Sequence, residues 1–406
     1  MIGPNPFLKS IRMNNILSYG AGGQVIDLRS LNVLIGKNAA GKSNLIEVLS
    51  LLNAAPSDLT EPVREGGGIS EWIYKGSRKT PVAEVEITYD HLPLKKPLRY
   101  RLEFTSAGQR FELIDEILEN ESKSSPEEDD VYFYYRYRRG NPVLNINPMS
   151  HGEEDSCQNG HTQRYLKRED LEPNQSVLSQ RKDPDQYPEL TFLNSQLSQM
   201  KFYREWNLGR YTPPRLPQKP DLPEDFLLED ASNLGLVLND LQHHSETKRI
   251  ILERLARFHE GIEDLSTKIH GGTVQVFLHE RGLKHPIPAT RMSDGTLRYI
   301  CLLAVLCHPS PPRIVCIEEP ELGLHPDVLP DIAQMLIEAS HRTQLFVTTH
   351  SDVLVSELSQ VPESVLVCEQ GNEGTELRRL EQNQLEAWLE KYSLGELWRM
   401  GEIGGV

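Results

Sequence analysis

Cysteine is scarce here: five residues in the chain, an odd number, four of them (Cys301, Cys307, Cys316, Cys368) inside apolar runs. No framework spacing links them, which excludes a disulfide scaffold and predicts a reducing, cytoplasmic setting. Long apolar runs are missing too. None approaches the ~18–20 residues that a bilayer-spanning helix needs, and the stretch from Met1 to Asn15 has no uninterrupted apolar segment of leader type. Excess positive charge is also absent, since 43 basic residues face 59 acidic ones for a net charge of −16. That excludes a chain that coats nucleic acid through its overall charge and leaves only a local patch for such contact. Hydrophobic residues make up 38% and charged ones 25%, so a sizeable core is expected rather than disorder. A length of 406 residues predicts two or three domains.

What is present concentrates at the two ends. Alternating residues from Leu8 to Ile16 and from Val25 to Leu28 lead into Leu31-Asn32-Val33-Leu34-Ile35, a compact buried-strand pattern. Leu45, Val48, Leu49 and Leu52 then recur at helical spacing. Period-two alternation over Val82–Tyr89, Leu98–Phe104 and Val131–Tyr137 predicts hairpin strands, with the charged run 121–130 as a loop tip. Residues 145–185 show little periodicity, and the prolines between Tyr211 and Pro223 exclude regular structure there. Ala231–His243 and Glu246–Gly261 predict two short helices, a stubby arm at most. Thr273–Leu278 reads as a strand, and from Thr290 onward helices and strands alternate. The expected organisation is three stretches: 1–118, half of a nucleotide lobe; 119–270, an insertion with polar loops and a short helical arm; 271–406, the other half.

Between that first buried strand and its helix, Gly36-Lys37-Asn38-Ala39-Ala40-Gly41-Lys42-Ser43 fits G-x-x-x-x-G-K-[ST] without mismatch. Glycines let the backbone curl so that its N–H groups converge on a polyphosphate at the positive end of the following helix. Gly36, Asn38, Ala39, Ala40, Gly41, Lys42, Ser43 and Asn44 are therefore the candidate nucleotide-binding set. Lys42 is expected to bridge the β- and γ-phosphates and the Ser43 hydroxyl to ligate Mg²⁺. A mere strand-to-helix turn would not need Lys and Ser together.

A second short apolar strand, Arg313-Ile314-Val315-Cys316-Ile317, ends in Glu318-Glu319-Pro320-Glu321. Carboxylates at the carboxyl end of a buried strand stand where open parallel sheets place ligand chemistry. Glu318 is expected to hold Mg²⁺ and Glu319 to orient or deprotonate the attacking water. Upstream, Ser293-Asp294-Gly295-Thr296 opens an apolar helix; it is either a second anion-binding turn or an ordinary serine cap. Downstream, Leu345–Thr349 is a third buried strand, ending at His350, which can hydrogen-bond a γ-phosphate.

P-loop, Ser-x-Gly turn, acidic strand and strand-His, in that order, resemble the ATP-binding-cassette ATPases. The fuller strings Cys316–Pro326 and Thr348-Thr349-His350-Ser351 resemble the OLD/RecF/SMC-like branch, in particular bacterial "AAA family" ATPases of anti-phage defence operons. Tyr74-Lys75-Gly76 is likewise similar to SMC heads. The likeness covers Leu8–Leu52 and Pro288–Glu369. It implies an α/β fold, an antiparallel hairpin subdomain beside a parallel P-loop sheet, interrupted by a small helical insertion lobe.

Carried over, the resemblance implies an ATPase that uses ATP and Mg²⁺. Lys42, Ser43, Glu318, Glu319 and His350 would act in cis, and Ser293 and Gly295 on the nucleotide of a second copy, so that two subunits dimerise around ATP. Leu324-His325-Pro326 would lie at the dimer seam. The chain departs from the pattern at Asp294, where a glycine is usual, and at Glu318, where an aspartate is. Gln180 is the candidate for the glutamine that couples Mg²⁺ to the insertion. OLD proteins append a TOPRIM nuclease; Val365–Glu369 lacks the expected Asp-x-Asp, so a separate nuclease-like effector subunit is expected. An ATP-gated scaffold with little turnover, or a RecF-like repair clamp on DNA, are the alternatives. Minor patterns are a His151, Cys157, His161 trio that could suggest zinc, and Arg136, Arg138 and Arg139 interleaved with Tyr132, Phe133, Tyr134, Tyr135 and Tyr137. The latter could stack bases or could simply be a strand with one aromatic face. Trp388, Leu394 and Trp398 at helix-like spacing read as packing residues.

Overall fold

A computed structural model describes residues 6–77, 81–91, 93–123, 130–138, 141–146, 162–165, 171–172 and 174–404. In chain order, β1 (Leu8–Asn14), β2 (Val25–Asp27) and β3 (Leu31–Ile35) precede helices α1 (Lys42–Ala54), α2 (Glu61–Glu65) and α3 (Ile69–Trp72). Strands β4 (Ala83–His91), β5 (Lys96–Ala107), β6 (Arg110–Asn120), β7 (Phe133–Arg138), β8 (Asn141–Ile146) and β9 (Thr162–Tyr165) follow. Next come α4 (Val177–Gln180), α5 (Pro188–Leu197), β10 (Lys201–Tyr203), α6 (Leu234–His243) and α7 (Ser245–Phe258). The last part holds β11 (Ile262–His270), β12 (Thr273–Glu280), β13 (Ile287–Pro288), α8 (Asp294–Leu306), β14 (Ile314–Glu318), α9 (Leu329–Ala339) and β15 (Gln344–Thr348). It closes with α10 (Asp352–Glu357), β16 (Val365–Gly371), β17 (Gly374–Arg379), α11 (Gln382–Leu389) and α12 (Leu394–Met400).

Three sheets result. An eight-stranded antiparallel sheet runs β2-β1-β4-β5-β6-β7-β8-β9. A six-stranded sheet runs β10-β14-β15-β3-β16-β17, parallel from β10 through β16 with β17 antiparallel at the edge. A small β11-β12-β13 sheet completes the set. The parallel strands are apolar on both faces because both are covered. Val33, Ile35, Val315, Ile317, Leu345 and Val347 enter one core together with α6, α8 and α9. Leu34, Ile314, Cys316, Phe346, Leu366 and Cys368 enter a second core, shared with α1, α5 and the inner face of the antiparallel sheet. The mixed α/β fold with antiparallel and parallel sheets thus agrees with expectation.

Four details differ. Strand β6 was not expected; its pattern Arg110–Asn120 carries too many acids to read as a strand, yet it pairs with β5 and β7 along its length. The predicted third hairpin strand starts later, at Phe133. Helices α6 and α7 form no free-standing arm, because Leu234, Val237, Leu238, Leu241, Ile251 and Leu255 are buried in the same core as β3 and α8. Residues beyond 118 also feed the parallel sheet directly through β10, which pairs with β14 from Lys201↔Val315 to Tyr203↔Ile317.

The aromatic-basic alternation is the two-faced strand. Tyr135 and Tyr137 are buried, while Arg136 pairs with Glu119 and Asp130 and lies over the Phe133 ring. Arg139 and the trio His151, Cys157 and His161 lie outside the described residues. Among the described residues no cluster could hold a metal through three or more His, Cys, Asp or Glu side chains, and Cys301, Cys307, Cys316 and Cys368 are free thiols. Leu394 and Trp398 are buried and Trp388 is exposed beside Tyr392. No helix among the described residues is long and apolar enough to cross a membrane.

Candidate nucleotide site

Because β10, β14, β15 and β3 are parallel, their carboxyl ends open on one edge of the sheet, where the chain can present side chains without breaking the core. From β3 the chain turns through the P-loop. Gly36 has φ 147°, and a Cβ there would stand 2.3 Å from the Cys368 carbonyl oxygen. Gly41 has φ 97°, with a Cβ 2.4 Å from Thr375 Oγ1 and 2.6 Å from Ser18 Oγ. Both positions therefore admit only glycine. Ala39 also takes a positive φ of 63°, and the Gly41 carbonyl accepts from the Tyr19 hydroxyl. Helix α1 starts with no side-chain cap and no acid in its first turn, so its N–H groups and positive end are left for an external anion.

The Lys42 ammonium curls back to donate to the Gly36 and Lys37 carbonyls at 2.8 and 2.9 Å. Burial lowers its pKa, with Glu319 opposing the shift. From β14, Glu318 is hydrogen-bonded to Ser43, and desolvation raises its pKa against the pull of Ser43 and Arg204. A hydroxyl and a carboxylate held together next to the loop are hard oxygen donors of the kind Mg²⁺ takes, so the residues present fit that ion. Glu319 follows with φ 46°, its N–H donating to the Thr348 carbonyl at 3.0 Å. Its Oε1 stands 3.6 Å from His350 Nε2, at the end of β15. The P-loop lysine and serine, both glutamates and the histidine are thus one cluster built from three strand ends.

Three contributors escape sequence reading. Glu321 Oε1 accepts from Thr349 Oγ1 at 2.7 Å and from the His350 N–H at 2.8 Å, fixing the backbone that carries the histidine. Arg204, just past β10, lies 3.7 Å from Glu318 Oε1 and 3.9 Å from Glu47 Oε1. It is the cation of a cleft of ≈ 1020 Å³ that Ser43, Glu47, Glu229, Asp230, Glu318 and Glu319 also line. Arg215 holds the Ser293 turn through the Met292 carbonyl and the Asp294 carboxylate. No local motif marks any of them; β10 is three residues long and its pairing partner lies far along the chain.

Gln180 is not brought to this cleft as a lining residue. Its side chain is spent locally: Oε1 accepts from the Glu172 N–H at 2.7 Å, and Nε2 donates to the Gln175 and Ser176 carbonyls at 3.1 and 3.3 Å. A glutamine at the end of a short helix closes that loop instead of reaching for a metal.

The Ser293 turn opens α8. Ser293 caps α8, its Oγ accepting from the Thr296 N–H at 3.0 Å, and both Ser293 and Asp294 are exposed. A Cβ on Gly295 would lie 3.1 Å from the Gly323 carbonyl, so the glycine lets α8 sit against the loop that follows the paired glutamates. Leu322 and His325 on that loop are exposed.

A curated ATP/GTP phosphatase of Helicobacter pylori (strain ATCC 700392 / 26695) is 21% identical over 361 residues, spanning 87% of this chain and 88% of that protein. Among solved structures, an Smc head bound to the C-terminal winged-helix domain of ScpA superposes with a TM-score of 0.58 at 14% identity, covering 93% of this chain and 99% of the other. A Pyrococcus furiosus Smc head with an extended coiled coil, bound to the C-terminal domain of ScpA, gives 0.57 at 13% identity, covering 95% and 99%. Residues 31–356 match the family described as AAA domain, putative AbiEii toxin, Type IV TA system. The chain belongs to that family, and it is a P-loop ATPase with the fold of an SMC head.

Proposed function

We propose that this ATPase closes as a dimer over two ATP molecules and uses their hydrolysis to control a separate effector, nuclease-like in character, in antiviral defence or DNA maintenance. The observation that carries the reading is the division of anion-binding chemistry between two places. One is the cluster of Lys42, Ser43, Glu318, Glu319 and His350 at the ends of β3, β14 and β15; the other is the turn that opens α8, where Ser293 and Asp294 are exposed. A second copy brings the two together. The family description, with its toxin system, and the ScpA domains seated on the similar Smc heads favour a partner protein. The cytoplasm is the compartment that suits free thiols.

The mechanism follows from the side chains. Lys42 exchanges its loop carbonyls for phosphate oxygens. Ser43 and Glu318 would hold Mg²⁺, which supplies charge neutralisation on the phosphates. Glu319 orients the attacking water and takes its proton, and His350, positioned through Glu321, hydrogen-bonds the γ-phosphate side. Loss of that phosphate releases the second copy's Ser293 turn and opens the pair.

Complementation tests the shared site. Lys42→Ala and Ser293→Arg chains are each inactive alone, but mixed they form pairs with one intact composite site and recover about a quarter of the parental turnover. Phosphate release by the mixture no higher than by either variant contradicts the reading.

A further inference from the structure

The two helix starts that the proposed function brings onto one triphosphate are built differently. Helix α1 begins without an acid in its first turn. Helix α8 begins with Asp294, whose side chain is 74% exposed, immediately after Ser293. A carboxylate there favours the helix, because it occupies the positive end of the dipole, but it also repels the phosphates that this end is meant to receive. An acidic signature therefore needs an answer to its charge.

The answer comes from the proline-rich segment that precedes α6. Arg215 closes a 3-10 turn over Pro213–Arg215, is 6% exposed, and turns both Nη groups to the signature side of the fold. Nε donates to the Leu208 carbonyl at 2.7 Å. Nη1 donates to the Ala289 and Met292 carbonyls at 3.1 and 2.6 Å, and Nη2 pairs with the Asp294 carboxylate. The next anchor of the segment is Gln218, which bridges β12 in both directions through Val274 at 2.8 and 2.9 Å. The segment is thus tied down, and the guanidinium meets the signature as part of the rigid fold.

We propose that Arg215 is a positioning residue that makes the acidic turn receptive to a polyphosphate. It cancels the charge of Asp294 and fixes the two carbonyls that lead into Ser293, so that the Ser293 hydroxyl and the backbone of Gly295 face the second copy's nucleotide. The inference rests on the shared-nucleotide reading and adds to it a charge rule: the association of two copies follows the net charge of the Arg215–Asp294 pair. A role confined to holding the fold gives no such ordering.

The experiment measures Mg-ATP-driven association by sedimentation in a Glu319→Gln background, with binding of a fluorescent ATP analogue to the single copy as a second readout. Arg215→Met leaves a bare carboxylate and weakens association about tenfold, while binding by the single copy is unchanged. Arg215→Met with Asp294→Asn restores association to near the parent. Asp294→Asn alone, read in samples that a thermal melt shows to be folded, strengthens association several-fold, and the gain shrinks as salt rises. If Asp294→Asn leaves association unchanged, or the double variant stays as weak as Arg215→Met while melting like the parent, the charge rule is wrong. If the parent background binds ATP yet never associates, the shared-nucleotide reading falls and this inference with it.

Discussion

Glu116 and Glu318 both leave water when this chain folds, and their surroundings differ in how completely they are answered. Glu116, on β6, is fully buried and accepts from the Tyr100 hydroxyl at 2.7 Å, the Ser176 hydroxyl at 2.5 Å and the Val177 N–H at 2.9 Å. These contacts join the antiparallel sheet to the cap of α4. Burial still pushes its pKa up to about 7. Glu318, on β14, is also raised by desolvation, but it has one hydroxyl partner and an arginine at 3.7 Å, and it opens on a cleft. A buried carboxylate that is saturated with donors is a joint. One left short of partners at the mouth of a cleft is a place for a cation. The same desolvation serves stability in one region and chemistry in the other.

Substitutions at the two carboxylates separate these roles. At the cleft, Glu319→Gln lowers steady-state turnover by roughly 10³-fold while ATP binding and the melting temperature stay put; a phosphate-release assay and a thermal melt check both halves. In the joint, Glu116→Leu takes the acceptor from the Val177 N–H and from the Tyr100–Ser176 hydroxyl pair and costs about 3 kcal/mol of stability, with turnover per folded molecule unchanged; denaturant titration with an activity assay reads this. Glu318→Gln behaves oppositely, losing Mg²⁺-dependent turnover without loss of stability.

The pH profile sharpens the contrast. Glu116 holds its proton more tightly in the folded chain, so its contribution is fully present below about pH 4.5 and fades as pH rises through about 7, by a few kcal/mol in all. Glu116→Gln flattens stability against pH over that window, as chemical denaturation at several pH values will register. The smallest effect is at Arg204. Its guanidinium competes with a metal for Glu318 and Glu47, so Arg204→Met lowers the Mg²⁺ concentration for half-maximal turnover about threefold.

Legibility in the sequence divides along similar lines. The P-loop, Glu318, Glu319 and His350 were readable because each directly follows a buried strand, and parallel pairing puts strand ends side by side. The order of buried strands likewise predicted a parallel sheet beside an antiparallel one. Arg204, Arg215 and Glu321 were not readable, because each acts through a partner that only the fold supplies. Arg215 reaches Asp294 across α6, α7 and the small β11-β12-β13 sheet, and Arg204 needs β10 paired to β14 before it meets Glu318. Gln180 was misread because its residue type suits a metal site, whereas its neighbours 172–176 present the carbonyls and N–H that take up its amide. Strand β6 was missed since its acids are matched by cross-strand arginines Arg99 and Arg101, a pairing invisible from one strand alone.

Sedimentation of the Glu319→Gln chain with saturating Mg-ATP decides whether two copies share their nucleotides. A species of twice the chain mass, absent without nucleotide and abolished by Ser293→Arg, is the predicted result. Single copies at every concentration, with ATP demonstrably bound, would contradict it.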